Sequence, residues 1–352
     1  MTRRVTVAIP GDLDTPTGGY AYDRRVIEEL GGLGWDVNHI RLGSSFPAPT
    51  PEDMSDAATM LHAVPPDTPL IIDGLALGAL DPSLVERIVA PIVALVHHPL
   101  AHEGGLETSR RAQLHITEQA NLANSAAVVV TSPHTRMLLL TEYGVPEAHL
   151  TVAEPGTDRP VEPRLPSTPP LILSVGSQVR RKGHDVLIRA LGLVSDLEWR
   201  AVIAGEARDP VFASEIVELI AAWNLGSRLE LPGAVDRQTL HELYRSASVF
   251  ALATRFEGYG MVFAEAMTYG LPIVTCQTGA VPDTVGTGAA LLVDPEDHEA
   301  LADALRRVLT DADLATSLGS ASMAAASALP TWKDTSRQIA ATLRAVMERE
   351  HS

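Results

Sequence analysis

Of the 27 basic residues in this chain only two, Lys182 and Lys333, are lysines. A lysine kept in a loop calls for its own explanation, because a compact ammonium differs from a planar guanidinium. Lys182 closes the run Arg180-Arg181-Lys182, which precedes Gly183 and a helical pattern in GSQVRRKGHDVLIRAL. Three cations at the positive end of a helix repel one another, and the arrangement fits an anion held there. The GxxxxGK[ST] order is absent, so this is not a Walker A loop. A solvated basic loop is the plainer alternative, and the acidic surroundings speak against it. A second stretch, TRFEGYGMVFAEAMTYGLPIVTC, carries Glu257 among glycines and Glu265 within a helix expected to begin near Met261. On one continuous helix the two carboxylates would sit roughly 80° apart. Gly258 and Gly260 instead predict a loop whose amides and carboxylate face the same crevice as the helix. Two solvent-exposed glutamates would leave those glycines unexplained.

Weaker signals lie in the first half. Gly18-Gly19 stands where a loop meets a helix, and glycines there let amides approach a phosphate. A flexible turn explains the pair equally well. His97 and His98 follow the apolar run IVALV. A zinc site would need further ligands; His102 and Glu103 are near in sequence, but HExxH spacing is absent. A lone histidine is usually structural, whereas a strand's carboxyl end is where α/β proteins bind ligands.

These loops need elements to hold them. Apolar runs at 5–9, 36–40, 70–74, 92–96, 127–131 and 150–154 alternate with helical patterns such as Ala21–Leu33, Gly105–Ala123 and Pro133–Tyr143. That rhythm reads as βαβ units around a parallel sheet. Residues 155–170 contain six prolines, which continue neither sheet nor helix and mark a domain boundary. The rhythm resumes with strands at 171–175, 200–205, 228–233, 249–253, 272–276 and 290–293. Helices are expected at 184–194, 211–224, 237–246, 261–269 and 296–309, the last with Asp294 as its cap. Trp332 opens a final amphipathic helix. The expected domains are 1–160, 161–331 and a terminal segment 332–352.

Composition bounds the partners. The 352 residues suffice for two domains, and 4% aromatic content points to aliphatic α/β cores. A net charge of −17 argues against a basic face for nucleic acid or an anionic membrane. No apolar run approaches the ~20 residues of a membrane span. The N-terminus MTRRVTVAIPGD shows no signal-peptide pattern, and one cysteine, Cys276, suits a reducing compartment. The expected location is the cytoplasm, with Cys276 a small apolar residue at a strand end.

The stretch EGYGMVFAE resembles the Glu–seven residues–Glu motif of retaining glycosyltransferases of family GT4. GSQVRRKGHDVLIRAL, LPGAVDRQTLHELYRSASVFALATRFEGYG, AEAMTYGLPIVT and TGAVPDTV are similar to that family's C-terminal domain in order and spacing. PGTD at 155–158 resembles its linker and PTWKDT the start of its crossover helix. The resemblance covers residues 171–340 strongly and 1–160 loosely. It implies the GT-B fold: two Rossmann-like α/β domains with parallel sheets facing a central cleft, plus a C-terminal crossover helix. It implies a hexosyltransferase that uses a UDP- or GDP-sugar donor and no cofactor; the ten Arg against twenty acids in residues 1–160 favour a small, soluble acceptor over a membrane lipid. It also implies residue roles. Lys182 would contact the donor diphosphate, Glu265 the ribose and Glu257 the transferred sugar. Amides of Gly258, Tyr259, Gly260 and Met261 would hold sugar and phosphate oxygens. Gly233–Val235 would border the base, Gly18 and Gly19 would face the diphosphate, and His97 the sugar. No metal is expected, on the reading that no DxD motif follows a strand at the cleft. One departure stands out: the family commonly has Arg after the glycine numbered 176 here, and this chain has Ser177. Arg180 or Arg181 could replace it, Arg181 in the better register. Ser177 also keeps open a catalytically impaired nucleotide-sugar-binding homologue; a nucleotide-sugar epimerase or a phosphorylase is a further alternative.

Overall fold

The structure, a computed structural model, describes residues 3–160 and 162–350. Val161, where the sequence reading starts the second domain, and residues 351–352 of the terminal segment lie outside the described residues. The chain divides into two units, Met1–Gly156 with Pro330–Ser352, and Thr157–Leu329.

The first unit holds β1 (Arg3–Pro10), β2 (Trp35–Leu42), β3 (Leu70–Asp73), β4 (Ile92–Val96), β5 (Ala127–Val130) and β6 (Leu150–Val152). They form one parallel sheet in the order β2-β1-β3-β4-β5-β6. β3, β4 and β5 are buried along their whole length, as continuous aliphatic runs require when helices cover both faces. The helices are α1 (Gly18–Gly32), α2 (Pro51–His62), α3 (Gly74–Leu77), α4 (Pro82–Val85), α5 (Thr108–Ala123) and α6 (Pro133–Thr141). α1 buries Tyr22, Val26 and Leu30, one apolar row at four-residue spacing.

The second unit holds β7 (Leu171–Val175), β8 (Arg200–Ala204), β9 (Leu229–Gly233), β10 (Val249–Leu252), β11 (Ile273–Cys276) and β12 (Ala290–Val293). Its parallel sheet runs β12-β11-β10-β7-β8-β9. Its helices are α7 (His184–Leu193), α8 (Pro210–Ala222), α9 (Arg237–Ser246), α10 (Met261–Thr268), α11 (Val281–Val285), α12 (His298–Thr310) and α13 (Ala312–Ala328). Apolar clusters line both faces of the sheet, one around Ile203, Phe212 and Leu301, the other around Phe250, Phe263 and Met267. Cys276 ends β11 fully buried, and burial pushes its thiol up to about 12. The cap expected of Asp294 belongs to Asp297, whose carboxylate accepts the Ala300 amide at 2.8 Å. Glu296 takes a left-handed φ of 68°, so the chain turns once more before the helix begins.

The terminal helix α14 (Trp332–Glu350) is part of the first unit. Trp332 meets Tyr22 edge-on, with ring centroids 5.7 Å apart. Thr335 donates to the Glu154 carbonyl at 2.7 Å. Gly156 passes so close that a Cβ there would lie 2.2 Å from the Trp332 nitrogen. Among the described residues no helix is long and apolar enough to cross a membrane.

Each sheet reverses its strand order at one place. In the first unit this is between β1 and β3, in the second between β7 and β10. Loops leaving the carboxyl ends of strands on either side of such a reversal diverge and open a crevice. The loops singled out in the sequence follow β1, β4, β7 and β10.

Candidate active site

In the second unit, Arg180–Lys182 form a single 3-10 turn and Gly183, at φ 64°, starts α7. A Cβ on Gly183 would lie 1.8 Å from the Ala253 carbonyl oxygen, so only glycine lets this turn approach the end of β10. The two loops are then tied together. The Arg255 amide donates to the Arg181 carbonyl at 2.8 Å, and Thr254 Oγ1 lies 3.1 Å from the same oxygen. The Arg255 guanidinium grips Asp185 with two bonds, 3.0 and 2.9 Å.

This scaffold brings the predicted charges together. Lys182 Nζ donates to Glu257 Oε1 at 2.7 Å, and Thr254 Oγ1 to the same oxygen at 3.0 Å. Arg181 reaches Glu257 Oε2 at 3.4 Å and the Phe256 carbonyl at 3.0 Å. Glu257 is 5% exposed. Burial pushes its carboxyl up, yet the charges of Lys182 and Arg181 and the bonds from Lys182 and Thr254 outweigh burial and hold it below the ordinary carboxylate range. The anion that the cationic run calls for is therefore present within the chain. Arg180 points elsewhere: it pairs with Glu215 and lies over the Phe212 ring. Of the two arginines weighed against Ser177, Arg181 is the one beside Lys182 and Glu257.

The loop carrying Glu257 is pinned from behind. The Ala280 amide donates to the Glu257 carbonyl at 2.9 Å. Gly279, at φ 51°, comes so near that a Cβ would lie 2.4 Å from that oxygen. Gly258 and Tyr259 are buried and Met261 half-buried. Gly260, in a left-handed conformation, is the N-cap of α10 and has no side chain to close its first turn. α7 likewise starts on a glycine without a side-chain cap, whereas α8, α9, α12 and α13 all start on aspartate caps. The two helices that begin beside Lys182 and Glu257 thus lack the aspartate cap that closes those four.

Glu265 lies one helical stretch further on. It is half-buried and its Oε2 accepts from Tyr244 Oη at 2.8 Å. Burial is the main cause that raises its pKa, with the Tyr244 bond opposing. Tyr244 stacks on Tyr269 at 5.2 Å. At the adjoining strand ends, the Gly176 amide donates to the Ala204 carbonyl at 2.9 Å and the Gly205 amide to the Gly233 carbonyl at 2.8 Å. Gly233 takes a φ of 75°, and half-buried Val235 follows just before α9. His184, which the sequence reading did not single out, is fully buried; burial pulls its pKa down to about 4, and the neutral ring faces the Gly176 carbonyl at 3.1 Å.

In the first unit Gly18 starts α1 behind a Thr17 cap. A Cβ on Gly19 would lie 3.6 Å from the His97 ring, ordinary contact rather than a clash. His97 Nε2 lies 3.3 Å from Asp23 Oδ1 and 3.5 Å from Asp73 Oδ2, and both aspartates are buried. Burial and the Asp23 charge push the Asp73 carboxyl up to about 7, with His97 opposing. His97 is raised above 6.5 even though burial lowers it, because Asp23 and Asp73 favour the imidazolium. Asp73 thus keeps its proton up to about 7 beside a histidine whose imidazolium form is favoured. Neither aspartate was singled out in the sequence; the available signal was Asp73 at the end of the apolar run LIID. The other zinc candidates diverge: His98 bonds Glu103 at 2.6 Å and His102 bonds Glu142 at 3.0 Å. Asp12-Leu13-Asp14 does have DxD spacing just after β1. Asp12 Oδ1 there accepts the Asp14 amide at 2.9 Å and Oδ2 lies 3.7 Å from Arg41, so this carboxylate shapes the turn.

The chain is 26% identical over 234 residues to a mannosylfructose-phosphate synthase of Agrobacterium fabrum, covering 61% of this chain and 52% of that protein. It is 30% identical over 214 residues to a D-inositol 3-phosphate glycosyltransferase of Xylanimonas cellulosilytica, covering 56% and 51%. The chain spans about half the length of the curated relatives it matches. The solved sucrose-phosphate synthase of Thermosynechococcus elongatus superposes with a TM-score of 0.84 at 22% identity, over 99% of this chain and 100% of that one. Anabaena Alr3699/HepE in complex with UDP-glucose gives 0.78 at 16% identity, over 97% and 99%. The chain therefore has the two-sheet α/β fold of these proteins, and its residues 157–324, nearly all of the second unit, match the family model described as Glycosyl transferases group 1.

Proposed function

We propose that this chain is a retaining, metal-independent glycosyltransferase of the GT4 type. It moves a hexosyl group from a UDP- or GDP-sugar to a small, soluble hydroxyl acceptor. The observation that carries the reading is the cluster of Lys182, Arg181 and Glu257 beside two helices that begin on glycines. Breaking the anomeric bond of a nucleotide sugar leaves negative charge on the β-phosphate. Lys182, Arg181 and the first-turn amides of α7 and α10 are donors held in advance for such charge, and one donor of this kind is worth ~10²–10³ in rate. In the same assignment Glu265 binds the ribose hydroxyls, and the amides of 258–261 bind sugar and phosphate oxygens. Gly233 and Val235 border the base, His97 meets the sugar, and Gly18 and Gly19 meet the diphosphate. The family match over the second unit supports nucleotide-sugar chemistry. A relative named for D-inositol 3-phosphate supports a small acceptor.

The test is a thermal-shift and nucleotide-release screen of UDP- and GDP-sugars. A ligand of the native state raises its melting temperature, and release of UDP or GDP with an acceptor mixture reports transfer. Stabilisation by neither donor class would refute the reading. Ser177 favours a second reading, donor binding without transfer; stabilisation with no nucleotide release in any mixture would select it.

A further inference from the structure

Glu257 is an acid placed where a phosphate is to be bound, and its surroundings keep it charged. It is 5% exposed, 2.7 Å from the Lys182 ammonium and 3.4 Å from Arg181. It is not free to swing away, because Gly279 and the Ala280 amide lock its backbone and Thr254 holds Oε1. Any anion that draws on Lys182 therefore does so next to a fixed negative charge.

Resting on the donor assignment above, we propose that Glu257 is a charge discriminator that favours the sugar-bearing nucleotide over the spent nucleoside diphosphate. Esterification removes one ionisation from the β-phosphate, whose second pKa lies near 6. The freed diphosphate thus carries one more negative charge at neutral pH than the nucleotide sugar. A sugar also brings hydroxyl donors that can satisfy the carboxylate once Lys182 turns to phosphate. The bare diphosphate brings none, so Glu257 is left with Arg181 and Thr254 beside a more negative neighbour. Release of the product follows from the same carboxylate that accepts the sugar.

The experiment is calorimetric titration of wild-type protein and Glu257→Gln with UDP, UDP-glucose, GDP and GDP-mannose at fixed ionic strength and with a chelator present. For the nucleotide that binds, the ratio of diphosphate Kd to nucleotide-sugar Kd should fall about tenfold in Glu257→Gln, the scale of one unit charge several Å away through a partly solvated medium. Glu257→Asp, which keeps the charge, should retain the wild-type ratio, and this variant also controls for a loop disturbed by the amide. If both ligands bind wild-type protein and the Gln variant leaves the ratio unchanged, the discriminator role is refuted while the donor assignment stands. If wild-type protein binds none of the four, the donor assignment fails and the inference with it.

Discussion

Replacing Lys182 by Met should destabilise the ligand-free second unit markedly. The ammonium and carboxylate are 2.7 Å apart with side chains 13% and 7% exposed. At an effective dielectric of about 20 their gross attraction is about 6 kcal/mol, most of it offset by the cost of taking both ions out of water. Removing one member leaves the other's desolvation uncompensated, typically about 3–5 kcal/mol. Arg181 at 3.4 Å and Thr254 at 3.0 Å still serve Glu257, so the expected loss is about 2–3 kcal/mol. Glu257→Gln should cost a similar amount, since it leaves Lys182 beside Arg181. The double variant buries no unpaired charge of this pair and should cost less than the sum, a coupling of about 2 kcal/mol. For a unit of this size that single-variant loss is roughly a 5–10 °C drop in Tm. Urea titration with hydrogen exchange of peptides in 171–276 separates this unit from the rest, with buried Trp199 as its fluorescence probe. Glu257 titrates below its ordinary range in the folded state. The stability it confers is present above the unfolded carboxylate pKa and lost as pH falls through the folded value. The gap between wild type and Lys182→Met should accordingly close in acid. Additive single variants, or a gap independent of pH, would refute the idea that these two groups are a paired, buried unit.

Glu265→Ala should weaken UDP or GDP binding about tenfold, by the loss of charge-assisted bonds; unchanged affinity by calorimetry would remove its ribose role. Gly183→Ala forces a Cβ into the 1.8 Å gap to the Ala253 oxygen at a left-handed φ, and should cost at least about 2 kcal/mol in denaturation and lower nucleotide affinity. Asp297→Ala removes the amide acceptor at the start of α12 and should cost about 1 kcal/mol without altering nucleotide binding. Asp73 keeps its proton up to about 7, well above its unfolded value, so folded protein holds a proton that the unfolded chain has released. Stability should fall as pH rises through that window, and the raised pKa of His97 acts in the same direction. Asp73→Asn, which can still accept the Leu75 amide, should flatten the Tm profile between about pH 4 and 7; parallel profiles would contradict a proton held by Asp73.

What the sequence made legible follows from which interactions are local. β4 and β10 announced themselves because a strand covered on both faces must be apolar throughout. The loops after them then followed from the geometry of parallel sheets. α13 escaped notice because ADLATSLGSASMAAASA has little contrast between its faces; it packs through small residues, with Gly319 so near the Gly270 carbonyl that a Cβ would lie 2.7 Å away. The pairing of Asp23 and Asp73 with His97 joins α1, β3 and β4, and nothing in the spacing of the three announces it. The cationic run is the instructive case. Its repulsion was visible in the sequence, but its partner, 75 residues further on, was not recognisable as a partner until the ends of β7 and β10 met. Helix starts carry a related signal that is legible in principle. In the second unit, aspartate caps open α8, α9, α12 and α13, whereas α7 and α10, beside the charged cluster, open on glycines and α11 opens on Ala280 without a side-chain cap. At Gly183 and Gly260 a left-handed φ, and a Cβ that would meet the Ala253 carbonyl oxygen or the Phe263 ring, leave no room for a cap carboxylate, which would also add negative charge beside Glu257. Glycine at both positions therefore gives up roughly a few tenths of a kcal/mol of capping stability each and keeps further negative charge away from the cluster of Lys182, Arg181 and Glu257.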